Sequence, residues 1–254
     1  MKSLKRFVYS NIVPVISTVL KNKNQYINVI YYHDIVTGDG GGAQQTNIDV
    51  FKSHMEYIFK NGYKTLTFDD IEKGADISFK DKCVLITFDD GWLSNYTEIF
   101  DFMKEKGIKY NIFLAVGEIS NNPQYLTWDI IREMHSSGLV GFGAHTYSHI
   151  SVSDIKSVDT DKEIESANNK IFEEIGFYPV DFCYPYGQFS EESQEFLLSN
   201  TKYKRIYTSE HDFSYSVDGK IVFGRSSINN DEPFKTFIHK LNGNYNAFNT
   251  LRGK

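Results

Sequence analysis

Short apolar runs alternate with stretches of helical periodicity along most of the chain. The runs are INVIYYH (27–33), CVLITFDD (83–90), YNIFLAVG (110–117), LVGFGAH (139–145), VDFCYPY (180–186), RIYTS (205–209) and KIVFGR (220–225). They are short and rich in apolar, β-branched and aromatic residues, as buried strands are. Between them, residues 48–61, 94–106, 127–137, 159–175 and 190–200 carry helical patterns. Tyr96, Ile99, Phe100 and Met103 form one stripe at helical spacing, and Ile164, Ala167, Ile171 and Ile175 form another. Strands alternating with helices predict βα units around a largely parallel sheet. The expected fold is α/β, a single distorted TIM-like (β/α) barrel with about seven parallel strands. No repeat, low-complexity tract or Pro/Ser-rich linker divides the chain, so residues 27–254 are expected to form one domain. TGDGGGAQQT at 37–46 reads as a surface loop.

A parallel barrel places reactive groups where strands end and loops begin. Four runs end in chemistry-bearing residues: His33, Asp89–Asp90, His145 and Tyr186–Gly187. In VLITFDDG (84–91) a buried strand runs straight into two carboxylates, and Gly91 lets the backbone turn so that both can reach one pocket. Adjacent carboxylates repel unless a cation lies beside them, so one could ligate a metal while the other handles protons. Helix capping is the plainer role for such a doublet. In GAHTYSHIS (143–151), His145 and His149 fall on one side of a helical turn and can hold one ion. One carboxylate and two imidazoles make an open metal site. In FCYPYGQF (182–189), Pro185 and Gly187 shape a loop whose backbone N–H groups can face the pocket, with Tyr184 and Tyr186 as a stacking wall for a sugar. An ordinary Pro-Gly turn would serve as well.

Composition narrows this picture little. A 41% hydrophobic, 15% aromatic chain with 5 prolines has material for a sizeable core. The net charge of −6 argues against a nucleic-acid backbone or an anionic membrane as the main partner. Cys83 and Cys183 lie in strand-like runs and read as buried thiols, and no CxxC is present. Lys2, Lys5 and Arg6 precede FVYSNIVPVISTVL, an apolar run diluted by polar residues and too short to span a bilayer. Residues 1–26 are expected to form an amphipathic lead-in helix that could touch a membrane surface, and the expected location is cytoplasmic, with export as the alternative.

The three segments together resemble the polysaccharide deacetylase family, the NodB-homology carbohydrate esterases, over about residues 27–225. TFDDG (87–91) resembles its first motif, which implies Asp89 as catalytic base and Asp90 as metal ligand. HTYSH (145–149) resembles H-[ST]-x-x-H, which implies that His145 and His149 complete the metal triad. YPYG (184–187) resembles the third motif, which implies the Tyr186 main-chain amide as an oxyanion donor. Trp128, in YLTWDII, resembles a family tryptophan near the pocket, with substrate contact or packing as its task. The family's third motif carries an arginine where this chain has Cys183, and Arg225 is the candidate to replace it. The usual C-terminal Leu-x-His acid is also missing. His239 lies in FKTFIHKL, which has helical spacing, whereas INVIYYHDI is a strand ending in His33. That order resembles the circularly permuted branch that includes the poly-N-acetylglucosamine deacetylases, so His33 takes the acid role and His239 is the alternative.

The resemblance implies metal-dependent removal of N-acetyl groups from amino sugars in an oligo- or polysaccharide, free or lipid-linked. The implied metal is Zn²⁺ foremost, then Co²⁺, Ni²⁺ or Mn²⁺. Hydrolysis of an O-acetyl or N-formyl group, or an idle carbohydrate-binding relative, are the alternatives. His54 and His135 lie in helical patterns and His211 in a polar loop, with no chemistry assigned to them.

Overall fold

A computed structural model describes residues 26–38, 42, 44–78, 82–210 and 214–244. The expected lead-in helix and His211 lie outside them. Among the described residues no helix is long and apolar enough to cross a membrane.

The strands, in chain order, are β1 (Asn28–Tyr32), β2 (Asp34–Val36), β3 (Gln45–Asn47), β4 (Lys64–Thr65), β5 (Cys83–Phe88), β6 (Tyr110–Leu114), β7 (Val140–Ala144), β8 (Asp181–Cys183), β9 (Arg205–Tyr207), β10 (Tyr215–Val217), β11 (Lys220–Phe223) and β12 (Ser226–Ser227). The main sheet runs β10-β11-β9-β8-β7-β6-β5-β1-β12. Every pairing along it is parallel except the β10–β11 hairpin. β11 pairs with β9, and two residues later β12 pairs with β1 in the register Ile30↔Ser226. One run of chain, 220–227, therefore meets both ends of the sheet and curls it into a distorted barrel. With β1, β5, β6, β7, β8 and β9, this run makes the expected parallel set.

Side chains alternate between the barrel interior and the helical layer, as the period of a strand requires. Val29, Leu85, Phe113, Cys183, Tyr207 and Phe223 form the inner apolar cluster, one from each of six staves. β7 meets them with glycine. A Cβ at Gly143 would lie 2.7 Å from the Phe113 ring, and one at Gly141 would lie 2.4 Å from Asn111 Oδ1. The glycines in LVGFGAH thus make room for larger inner side chains on β6. Outward residues such as Ile86, Ile112, Phe142 and Phe182 join the larger cluster under the helices. Below the inner cluster, Arg205 grips Asp181 through two 2.6 Å hydrogen bonds, and Tyr207 donates to the same carboxylate at 2.9 Å.

The helices follow the sequence pattern with two differences. The stretch 94–106 breaks into Ser94–Thr97 and Phe100–Lys106, and 159–175 opens with a π-turn, Asp161–Ser166, before the α-helix Ala167–Ile175. Part of the loop 37–46 is ordered against β2, because β3 pairs with it in parallel. Asn47 caps the helix Ile48–Lys60, accepting from the Asp49 N–H at 2.7 Å. That helix buries His54, whose ring stacks on Phe237 of the helix Phe234–Leu241 at 3.9 Å and bonds the Tyr32 hydroxyl at 3.1 Å.

Burial, with Lys240 nearby, lowers the His54 pKa to about 4. The unfolded chain therefore binds a proton here that the native state refuses, so stability falls as pH drops from about 6.5 to about 4, by up to roughly 3 kcal/mol. His54→Gln, which keeps an acceptor for Tyr32, should remove that part of the acid sensitivity. Urea midpoints measured from pH 7 to pH 4 should show the two proteins converging as pH falls. Parallel curves would mean that His54 does not titrate in this window.

Candidate active site

Continuing each inward row past its strand end brings the chemistry into one cleft. Val29 leads to Tyr31 and His33, Leu85 to Thr87 and Asp89, Gly143 to His145, Tyr207 to Ser209, and Phe223 to Arg225 and Ser227. Tyr31, His33, Asp89, His145, His149 and Tyr186 line a cleft of about 180 Å³, with Gln44, Ser209, Ser227, Ile228 and Asn229 on its remaining walls.

Arg225 is the fixed charge at its floor. Its Nη1 and Nη2 donate to the two Asp89 carboxylate oxygens at 2.7 and 2.8 Å. Nε donates to the Thr208 carbonyl at 2.9 Å and Nη1 to Thr87 Oγ1 at 3.2 Å, while the guanidinium lies 4.3 Å from the Tyr31 ring centre. Nη2 also lies 2.9 Å from Cys183 Sγ. The cation expected at the third motif thus enters from the closing stave, into space that Cys183 leaves open. Burial raises the Asp89 pKa, but the Arg225 charge and hydrogen bonds outweigh it and hold the carboxyl below its ordinary value.

The neighbouring carboxylate faces elsewhere. Asp90 and Gly91 both adopt left-handed backbone, with φ of 76° and 89°, which turns the chain off β5 and gives the adjacent carboxylates separate partners. Asp90 Oδ2 accepts from Trp92 Nε1 at 3.0 Å, and Trp92 stacks on Tyr125. Asp90 Oδ1 lies 3.1 Å from His149 Nε2 and 3.4 Å from His145 Nε2. The two histidines do not sit on a helical turn. Residues 145–149 form a loop with Thr146 and His149 at φ of 63° and 53°, and the ring approach arises from that loop rather than from helical spacing.

The donor chemistry fits a cation. His145 Nδ1 lies 2.8 Å from the Cys183 carbonyl, which can only accept, so Nδ1 carries the proton. In the neutral ring Nε2 then presents a lone pair to a carboxylate oxygen, an arrangement that needs a proton or a metal ion between them. Asp90 Oδ1 is buried and has no hydrogen-bond donor among the described residues. Burial raises the Asp90 pKa, but the imidazoles of His145 and His149 beside it outweigh that and hold the carboxyl below its ordinary value. Among the described residues two donor groups of metal-binding type occur, Asp90–His145–His149 and Asp89–His145–Cys183. The second is unsuitable: Arg225 occupies Asp89, and burial pushes the Cys183 thiol well up, away from the thiolate that binds metals.

His33 Nε2 lies 3.8 Å from Asp89 Oδ2, and Asn95 donates to the His33 carbonyl at 2.9 Å. Burial lowers the His33 pKa despite the two nearby carboxylates. Tyr186 stands at the rim, 61% exposed, with φ of 60° and its ring 4.7 Å from that of His149.

Two expected substrate contacts lie elsewhere. Tyr184 follows the inward Cys183 on β8, so alternation sends its ring outward, where it is buried against Phe182 and Phe189. Trp128 opens the helix Trp128–Ser136 and is 8% exposed, with Lys170 over its ring. His239 lies on the helix Phe234–Leu241, with Asn244 as its partner, and is not part of the cleft wall. His135 bonds Asp69 at 3.1 Å. Sequence reasoning missed Trp92, although it directly follows the Asp-Asp-Gly turn. It also missed Ser209 and Ser227, which counting by twos along the strands would have found.

The sequence model described as "Polysaccharide deacetylase" matches residues 76–205, about half of the chain. The chain belongs to the polysaccharide deacetylase family. The match runs from just before β5 to the start of β9, so His33 and Arg225 lie outside it. YxkH of Bacillus subtilis (strain 168) is 28% identical over 185 residues, covering 72% of this chain and 64% of YxkH. Peptidoglycan-N-acetylmuramic acid deacetylase PdaA of the same organism is 26% identical over 51% of this chain and 48% of its own length. The chain therefore spans less than two thirds of either curated relative. Among solved structures, Streptococcus pyogenes deacetylase PplD in complex with acetate has a TM-score of 0.74 at 18% identity, covering 86% of this chain and 99% of that one. IcaB from Ammonifex degensii has a TM-score of 0.70 at 23% identity, covering 85% and 97%. These two likenesses establish a shared fold.

Removing one member of the Arg225–Asp89 pair should be far worse than removing both. Arg225→Met should cost about 3–5 kcal/mol at neutral pH, because it strands a buried carboxylate. Adding Asp89→Asn should return most of that loss. Urea denaturation of both variants checks it, and additive losses would show that the pair is not coupled.

Proposed function

We propose that the chain hydrolyses N-acetyl groups on amino sugars of a glycan, with a divalent ion held by Asp90, His145 and His149. What supports this most is the division between two adjacent carboxylates. Asp89 is kept ionised by a guanidinium and faces the cleft, while Asp90 turns onto two imidazoles. Zn²⁺ suits one carboxylate and two imidazoles with an open position, and there it would polarise an acyl carbonyl and lower the pKa of water.

The residues of the chain supply the proton transfers. Asp89 takes the proton of the attacking water, with Arg225 keeping the carboxylate ionised and oriented. His33, on the far side of Asp89, gives a proton to the departing amine. Burial disfavours its protonated form, and Asp89, whose Oδ2 lies 3.8 Å from His33 Nε2, can pass on the proton taken from the water. The Tyr186 main-chain N–H serves as an oxyanion donor from the left-handed turn at Tyr186–Gly187. The exposed Tyr186 ring and the amides and hydroxyls of Gln44, Ser209, Ser227 and Asn229 are wall chemistry suited to a sugar. An N-acetylated amino sugar is favoured because the relative PdaA is named for one.

The Zn²⁺-loaded protein should release acetate and expose free amines on chitooligosaccharides or peptidoglycan fragments, and chelation should stop it. Asp89→Asn should retain metal yet lose roughly 10²- to 10⁴-fold in rate, with a loss of similar order for His33→Ala. Full activity in Asp89→Asn would remove Asp89 from the base role. Acetate release only from O-acetyl esters, with no new amine, would replace the amidase reading by an esterase one.

A further inference from the structure

The loop carrying both histidines is held from behind by a buried carboxylate that no proposed step uses. Residues 145–149 leave β7 irregularly, and the left-handed conformations at Thr146 and His149 are costly for residues with a Cβ. Two contacts from the segment after β6 secure the loop: the Val116 N–H donates to the Thr146 carbonyl at 3.2 Å, and the Gly117 N–H to that of Tyr147 at 2.7 Å. Two further contacts come from one residue. The Tyr147 N–H donates to the Glu163 carbonyl at 3.0 Å, and the Ser148 N–H to Glu163 Oε2 at 2.7 Å. Glu163 is 3% exposed, with Lys162 Nζ 3.5 Å from its other carboxylate oxygen. It lies on the π-turn Asp161–Ser166, where a regular α-helix would be expected from the stripe that follows. Single π-turns inside helices often sit at functional sites.

We infer that Glu163 is a positioning residue: its carboxylate holds the Ser148 amide and so keeps His149 aimed at Asp90. This rests on the metal site proposed above. A carboxylate suits the task because a charge-assisted bond to an N–H is about twice as strong as a neutral one.

The test compares the wild type with Glu163→Ala, Glu163→Gln and Ile171→Ala, the last truncating a core residue of the following helix. Zn²⁺ affinity is read by competition with a chelating indicator, and exchange of the Tyr147 and Ser148 amides is read in metal-free protein. Glu163→Ala should weaken Zn²⁺ binding by about 10- to 100-fold and speed exchange at both amides. Glu163→Gln, which keeps an acceptor oxygen, should recover most of both. Ile171→Ala should lower the melting temperature and leave both readouts near wild type. Wild-type affinity and exchange in Glu163→Ala would overturn the inference, as would an Ile171→Ala variant that loses as much. If the wild type binds no Zn²⁺, the metal-dependent reading fails, and the exchange data alone decide whether Glu163 holds the loop.

Discussion

The contact between Arg225 and Asp89 constrains everything around it. Both side chains are almost wholly removed from water, where an unpaired ion would cost several kcal/mol. The pair is tolerable because the guanidinium is satisfied on every side, by Asp89, Thr87, the Thr208 carbonyl and the face of Tyr31. Each partner arrives on a different stave, so the staves must hold their register for the contact to form. A larger residue at 183 would overlap the guanidinium, which explains why a small thiol stands beside it. The Asp89 carboxylate is thus ionised by construction, and Asp90 is left free to turn to other partners.

The same alternation that fills the barrel also arms it. Inward positions are apolar at mid-height and become polar above it. Phe113 meets Gly143 of β7 and the ring of Tyr207 in the apolar layer, and the residues two further along several strands are the cleft. Of the seven non-glycine residues with positive φ among those described, Asp90, Thr146, His149 and Tyr186 belong to the rim loops. Backbone strain therefore collects where side chains must leave the regular pattern, and the barrel below supplies the stability to hold it.

Asp89, Asp90, His145 and His149 were legible because each stands at or just past the end of a recognisable strand, and barrel geometry assigns such ends to one rim. His33 and Arg225 were legible only as candidates. Nothing local says that residue 225 reaches residue 89, and that contact depends on how the last stave joins the first. Tyr184 was misplaced because motif adjacency was followed instead of strand parity, which turns every second side chain outward. The His145 and His149 rings do approach one another, but through a strained loop and not through the helical spacing expected of them. The π-turn at Glu163 left no periodic trace, because one wide turn only shifts the phase of the stripe behind it.

Closure by residues 220–227 also imposes an order of events. Asp89 is synthesised well before Arg225, and the two are 136 positions apart. Contacts of such separation form late, after shorter-range βα units have docked. Until the final stave arrives, the Asp89 carboxylate has no guanidinium and must stay hydrated, so the barrel cannot seal around it. Pairing of the two buried ions and closure of the barrel are therefore a single event, and a nascent chain holding only the early staves carries Asp89 without the guanidinium that allows its burial.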